Sequence, residues 1–328
     1  MPQKNKMGKD KIEKNKIEKI VFMGTPDFAV PSLKALNQNG YEVSIVVTQP
    51  DRPKGRGRKI IPPPVKSAAL SLGYDIAQPA SVRTDEFAEQ ITAINPDLFV
   101  VTAFGRILPE NILAIPRIGA INVHASLLPK YRGSAPIQWA IINGEKKTGV
   151  TTMLMDNGLD TGGILLKDET LILPGDTSSI LHDRLAEMGA VLLIKTLRRI
   201  ESDGLKPVPQ DDAIATYAPL LNKKDGCIDW KLPAESIESF IRGVTPWPGA
   251  FTFHNDRRLK IFKAIALRTD IDENPGRVIK SFPGELIVAT GKGALSIFEI
   301  QSASGKRLSI RNFLQGNHIP PGTMLGLI

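Results

Sequence analysis

Asn122 and His124 stand two positions apart in the apolar run 119–124 (GAINVH), and Asp160 stands in a tight LDTGG turn that ends the stretch 148–163. Side chains two apart on a strand share a face. The run therefore predicts a buried strand that carries an amide and an imidazole side by side to its carboxyl end. An Asn N–H can be aimed at a developing oxyanion. A His can be a cationic donor to that oxyanion or a proton shuttle. An Asp can hold the imidazole, or accept an amine proton through water. Each has an ordinary structural reading when taken singly, as a core His, a strand-end Asn and a turn Asp, but their grouping suits acyl transfer. No Ser lies in a G-x-S-x-G elbow, and the single cysteine, Cys227, is remote in sequence. Direct transfer from a carrier thus fits better than a covalent acyl-enzyme. One cysteine also excludes an intramolecular disulfide and a thiolate cluster, and no two histidines are close in sequence, so no metal is expected.

A second feature is the stretch 49–66 (QPDRPKGRGRKIIPPPVK). Five of the eight residues from 52 to 59 are basic: Arg52, Lys54, Arg56, Arg58 and Lys59. Prolines on either side oppose a helix or a central strand. An exposed loop is predicted, at the carboxyl edge of the sheet where open α/β folds bind ligands. Such a loop suits phosphates and bases. Gly24-Thr25-Pro26 lacks the further glycines of G-x-G-x-x-G, which argues against a dinucleotide site.

The elements that must position these residues follow from the patterning. Apolar runs at 18–24, 41–48, 97–103 and 119–124 predict buried strands. Stretches 26–38, 82–94, 134–143 and 177–203 predict helices. Their alternation means an α/β fold, a Rossmann-like, doubly wound and mostly parallel sheet. Residues 204–220 open on a Pro-containing stretch without periodicity and are expected to be a linker. Beyond it, short runs at 249–254, 259–265, 285–290 and 294–300 between Gly-containing turns predict a smaller β-barrel of OB type. The expected organisation is a Lys-rich, disordered tail over 1–17, a catalytic domain over 18–203, the linker, and the barrel domain over 221–328.

Composition agrees with this outline. Among 328 residues, 42% are hydrophobic and 23% charged, which excludes a disordered or fibrous chain. No apolar run approaches the roughly 18–20 residues needed to cross a bilayer. The net charge is +8, and residues 1–19, with seven lysines and three acids, supply +4 of it. That balance favours a polyanionic partner such as nucleic acid. Residues 208–328 hold 15 basic and 12 acidic residues, so the second domain is only modestly cationic. The tail has neither an apolar h-region nor arginine, so neither a secretory signal nor a mitochondrial presequence is expected. A reducing, cytoplasmic setting fits the lone cysteine.

The segments NVHASLLPKYRG (122–133) and GLDTGG (158–163) together resemble the folate-dependent formyltransferase family. Over roughly 18–328, FMGTPDFAVP (22–31), TQPDRPKGRGRK (48–59), PPPVK (62–66), FGRILP (104–109), GSAPIQWAI (133–141) and TPWPGAF (245–251) are similar to its tRNA-directed members. The resemblance implies that Asn122, His124 and Asp160 are the catalytic trio. It implies that Ser126, Leu127, Leu128 and Pro129 line the folate pocket, and that Phe104, Gly105, Ile107 and Leu108 cradle the pterin. Arg52, Lys54, Arg56, Arg58 and Lys59 would enter the acceptor end of initiator tRNA, and the OB-like domain would also hold the tRNA. The implied reaction moves the formyl group of 10-formyltetrahydrofolate to the α-amine of methionyl initiator tRNA for translation initiation. It would proceed directly, through a tetrahedral intermediate, on a cytoplasmic monomer. The alternative is an amino-sugar nucleotide formyltransferase with the same folate donor, although a sugar enzyme has no need of a five-charge loop.

Overall fold

The computed structural model describes residues 16–54, 59–282 and 284–326. The strands that lie wholly or mostly in the first compact unit are β1 (Ile20–Gly24), β2 (Val43–Val47), β3 (Arg52–Lys54), β4 (Lys59–Ile61), β5 (Ile76–Ala77), β6 (Leu98–Thr102), β7 (Gly119–His124), β8 (Lys147–Leu154) and β9 (Ile164–Leu171). Seven of them form one sheet in the order β5-β2-β1-β6-β7-β8-β9. The pairs β2–β5, β1–β2, β1–β6 and β6–β7 are parallel, and β7–β8 is antiparallel. The mostly parallel sheet expected from the apolar runs is thus present.

Period-two alternation divides the core. On β1, Ile20 and Phe22 join Leu33, Leu36, Leu193 and Leu197, whereas Val21 and Met23 join Phe87, Ile91, Phe99 and Ile112. The first set draws on the helices Val30–Gln38 and Ser178–Asp203, the second on the helix Asp85–Ile94. With both faces covered, β1 and β6 carry no polar face, which is why they read as continuous apolar runs. The helix Asp85–Ile94 starts where the Thr84 hydroxyl accepts the Phe87 N–H, and stops at Asn95, whose φ is 51°.

Four local expectations change. The basic stretch forms a two-stranded antiparallel ribbon of β3 and β4 in place of a plain loop; its residues 55–58 lie outside the described residues. Pro64 begins a helix, Pro64–Ser71, because proline at a first helical position gives up an N–H with no partner to lose. β9 was not foreseen, since its KDET centre faces outward from the sheet's edge. The expected tail over 1–17 does not extend to its last residue. Ile17 is 6% exposed, packs in the core with Ile194, Leu197 and Ile200, and donates its N–H to Glu201. The disorder expected of residues 1–15 concerns residues outside those described.

The stretch 204–220 was expected to be a linker, yet much of it is stitched to the first unit. Val208 and Ile164 exchange both backbone hydrogen bonds at 2.8 Å. Thr216 accepts the Arg132 N–H on its carbonyl at 2.8 Å and the Tyr131 N–H on its hydroxyl at 2.9 Å. Its own N–H donates to the Pro129 carbonyl. The first unit therefore comprises residues up to Gly133, Gly149–Thr170 and His182–Tyr217. These partners lie tens of positions away in sequence, so local composition gives no sign of them.

The second unit comprises Ser134–Thr148, Leu171–Leu181 and the chain from Ala218 onward. Its strands are β10 (Ala250–His254), β11 (Arg257–Leu267), β12 (Val278–Ser281), β13 (Leu286–Ala289), β14 (Ala294–Ser302) and β15 (Leu308–Ser309). They form an antiparallel sheet in the order β10-β11-β14-β13-β12, with β15 beside β14. The segment 322–326 bonds to Gly276 and Val278 beside β12, and Gly326 donates to Phe253 of β10. It thereby bridges the two edge strands and rounds the sheet, a closure that leaves few unpaired edges. Trp230, Ile237, Ile241, Ile261, Leu295 and Phe313 lie in its core.

Candidate active site

β7 runs between β6 and β8 and carries Asn122 and His124 to its end. The turn after β8 brings Asp160 to them. Asn122 Nδ2 donates to Asp160 Oδ1 at 3.3 Å, and the Gly133 N–H donates to Asp160 Oδ2 at 2.8 Å. His124 is buried. Its Nε2 lies 2.9 Å from the Tyr131 carbonyl oxygen and its Nδ1 lies 3.7 Å from Asp160 Oδ2. A carbonyl can only accept, so Nε2 carries a proton and the ring's orientation is fixed. When Nδ1 is protonated too, an imidazolium faces the Asp160 carboxylate, at a separation that leaves this N–H uncommitted to a short hydrogen bond.

The backbone around these groups is tightly specified. Asp160 and Tyr131 have φ values of 55° and 61°, in the left-handed region that side chains other than Gly rarely adopt. Gly162 has no room for a Cβ, which would collide with the Leu154 carbonyl oxygen. Arg132, only 2% exposed, sends Nε and Nη2 to Gln210 Oε1 and Nη2 also to Asp212 Oδ1. Gln210 Nε2 donates to the carbonyls of both Asp160 and Gly162 at 2.8 Å. Lys167 Nζ donates to the Leu128 carbonyl at 2.5 Å, and burial pushes this ammonium below the ordinary lysine value.

The residues expected to meet folate divide by what they expose. Phe104 and Leu108 are core side chains, and so is the fully buried Leu128, whose N–H donates to Thr151 Oγ1. The buried Ser126 hydroxyl donates to the Lys130 carbonyl at 2.6 Å, and Pro129 is buried beside it in sequence. Leu127 is half-buried, and Gly105, with φ 77°, is exposed. Ile107 is 67% exposed and lines a cleft of about 250 Å³ with Ala80–Arg83 and Arg106. A cleft of about 710 Å³ lies elsewhere, between the helices Val30–Gln38 and Ser178–Asp203. Neither lining includes Asn122, His124 or Asp160.

Of the basic stretch, Arg52 is exposed, and Arg56 and Arg58 lie outside the described residues. Lys54 closes β3 and Lys59 opens β4, and the two are paired. The ribbon's base is fixed by Lys66, which donates to both Asp51 oxygens and to Gln78, while Gln78 Nε2 donates to Asp51 and the Gln49 carbonyl. Hydrogen bonds from Lys66 and then Gln78 hold the Asp51 carboxyl below the usual carboxylate range. Sequence reading missed Gln210 and Thr216 and gave Arg132 no role, although Arg132 lies within a quoted motif.

The formyl transferase family model matches residues 18–197, and the formyl transferase C-terminal domain model matches 220–318. A methionyl-tRNA formyltransferase of Caldanaerobacter subterraneus subsp. tengcongensis is 53% identical over 308 residues, covering 94% of this chain and 99% of that one. A methionyl-tRNA formyltransferase of Citrifermentans bemidjiense is 50% identical, over 94% of this chain and 96% of that one. Among solved structures, an N-formyltransferase from Helicobacter canadensis in complex with folinic acid and dTDP-3-aminofucose is similar in fold. Its TM-score is 0.65 and its identity 22%, over 89% of this chain and all of that one.

Proposed function

The chain belongs to the formyl transferase family, and from that premise we propose how Asn122, His124 and Asp160 perform its reaction. The activity is folate-dependent formylation of methionyl-tRNA, the activity named for relatives about half identical over nearly the whole chain. The donor in this reading is 10-formyltetrahydrofolate, and the acceptor is the α-amine of methionine on initiator tRNA. The amine attacks the formyl carbon and the carbonyl oxygen becomes an oxyanion. Asn122 Nδ2 and a protonated His124 Nδ1 then donate to it. The Asp160 carboxylate faces that ring nitrogen at 3.7 Å. Among the described residues, its Oδ2 is engaged by Gly133, while Oδ1 holds only the long bond to Asn122. Oδ1 thus takes the amine proton. Collapse breaks the bond from the formyl carbon to the folate nitrogen, which leaves with the proton that Oδ1 took, so the carboxylate is restored.

The basic stretch 52–59 supports tRNA over a small acceptor, since its five cations exceed what one amine and a folate require. Folate would be held along 104–108 and 126–129, with Gly105, Ile107 and Leu127 offering surface and the buried members fixing the backbone. The observation that carries the reading is the convergence of an amide, an imidazole and a carboxylate from β7 and the turn after β8. The test is transfer of labelled formyl from 10-formyltetrahydrofolate to methionyl-tRNA and, in parallel, to an amino-sugar nucleotide. Label on the tRNA alone is the expected result. Label on the sugar alone would overturn the acceptor assignment.

A further inference from the structure

Gln210 lies in the stretch whose composition suggested a linker, yet its side chain is fully committed beside Asp160. Nε2 donates to the Asp160 and Gly162 carbonyls, and Oε1 accepts twice from Arg132 at 3.0 and 2.9 Å. The buried guanidinium decides which way round the amide sits. A flipped amide would set its NH2 against the guanidinium and its oxygen against two carbonyls. Asp160 needs such outside support, because its φ of 55° is a left-handed conformation that a non-Gly residue keeps only where the surroundings impose it. The same stretch that supplies Arg132 also supplies the Gly133 N–H that holds the Asp160 carboxylate. Asp160 is therefore gripped at both ends, at its carboxylate by Gly133 and at its carbonyl by Gln210.

We propose that Gln210 is a positioning residue for formyl transfer: oriented by Arg132, its amide fixes the Asp160–Gly162 turn and so aims the Asp160 carboxylate at His124 and Asn122. The inference rests on the role given to Asp160 above. Gln210 acts through that turn, and no contact of its own with substrate is invoked. Displacing a reacting group by about 1 Å can cost on the order of 100-fold in rate. A residue that only stabilised the fold would leave the turnover of folded molecules intact.

Glu at 210 separates the two roles. It keeps an acceptor for Arg132 but replaces the NH2 donor with an oxygen set against two carbonyl oxygens. The experiment measures kcat, KM and melting midpoint for the full-length chain, Gln210→Glu, Asp160→Asn and the double variant, with 10-formyltetrahydrofolate and methionyl-tRNA. Gln210→Glu is expected to lower kcat about 10- to 100-fold, with both KM values within about two-fold of wild type. On the Asp160→Asn background the same change should cost less than about three-fold, because groups that act as a unit are not additive. An undiminished loss on that background, or an unchanged kcat in Gln210→Glu alone, would overturn the inference and leave the trio in place. Full turnover in Asp160→Asn would instead overturn the role of Asp160 and, with it, this one. If Gln210→Glu does not fold, Gln210→Met has similar length without charge or donor, and carries the same cycle with the same outcomes.

Discussion

At the scale of single residues, the trio makes the sharpest demand. Asn122→Ala and His124→Ala should each reduce turnover about 100- to 1000-fold, the usual cost of removing one oxyanion donor. Asp160→Ala should also lose most turnover, and the triple variant should be little worse than the worst single one. Steady-state kinetics with a circular dichroism check of folding would test this, and near-wild-type turnover in His124→Ala would sink the mechanism. Gly162→Ala should be as damaging by a different route. Its Cβ would drive the turn away from the Leu154 carbonyl and move Asp160 with it; active, normally stable protein would contradict that. Asn122 and His124 were legible in sequence because a strand's period of two is a local rule. Arg132 and Gln210 were not, because they meet across 78 positions and no local pattern encodes that meeting.

At the scale of elements, apolar runs located β1, β2, β6 and β7 because buried parallel strands need no polar face. The ribbon and the helix at Pro64 escaped because proline reads as a breaker, whereas its position within the element decides what it does; β9 escaped because its charged, exposed centre lacks the apolar run of a buried strand. The start of β1 depends on two anchors, one apolar and one charged. Ile17→Ala should cost about 2–5 kcal/mol by leaving a gap beside Leu197 and Ile200, measurable by denaturant titration. At Asp97, burial pushes the carboxyl up, but the N–H groups of Glu18 and Lys19 and the Arg117 guanidinium outweigh it and hold it below the usual range. A depressed carboxyl pKa contributes stability that is present above its unfolded value and is lost as pH falls through the folded value. Asp97→Asn should therefore be less stable at neutral pH and lose less of its remaining stability in acid. An unchanged acid limb in the variant's pH titration would refute the assignment.

At the scale of the whole molecule, charge and chain order matter more than any one contact. Each phosphate contact adds roughly 0.7–0.9 to the salt slope of nucleic-acid binding. Replacing Arg56 and Arg58 together by Ala should flatten that slope for methionyl-tRNA by about one to two units, with folate binding nearly unchanged. Identical slopes would take the ribbon out of the tRNA interface and favour a small acceptor. The two-part plan was legible from the change in patterning near residue 204, but the interleaving of the two units was not. Residues 134–148 belong with the chain beyond 218, which a reading in sequence order assigns to the part already made. A ribosome releases the chain in that order, at about 5–20 residues per second. The helix Pro136–Ile142 emerges some hundred residues ahead of Ile237 and Ile241, whose cluster its Trp139 and Ile142 pack against. Its apolar face thus waits on the order of 5–20 s for a partner. Throughout that wait the apolar side chains of this seven-residue segment, too short to hold a helix by itself, lack the cluster they pack against, and slower translation between 142 and 241 prolongs the exposure.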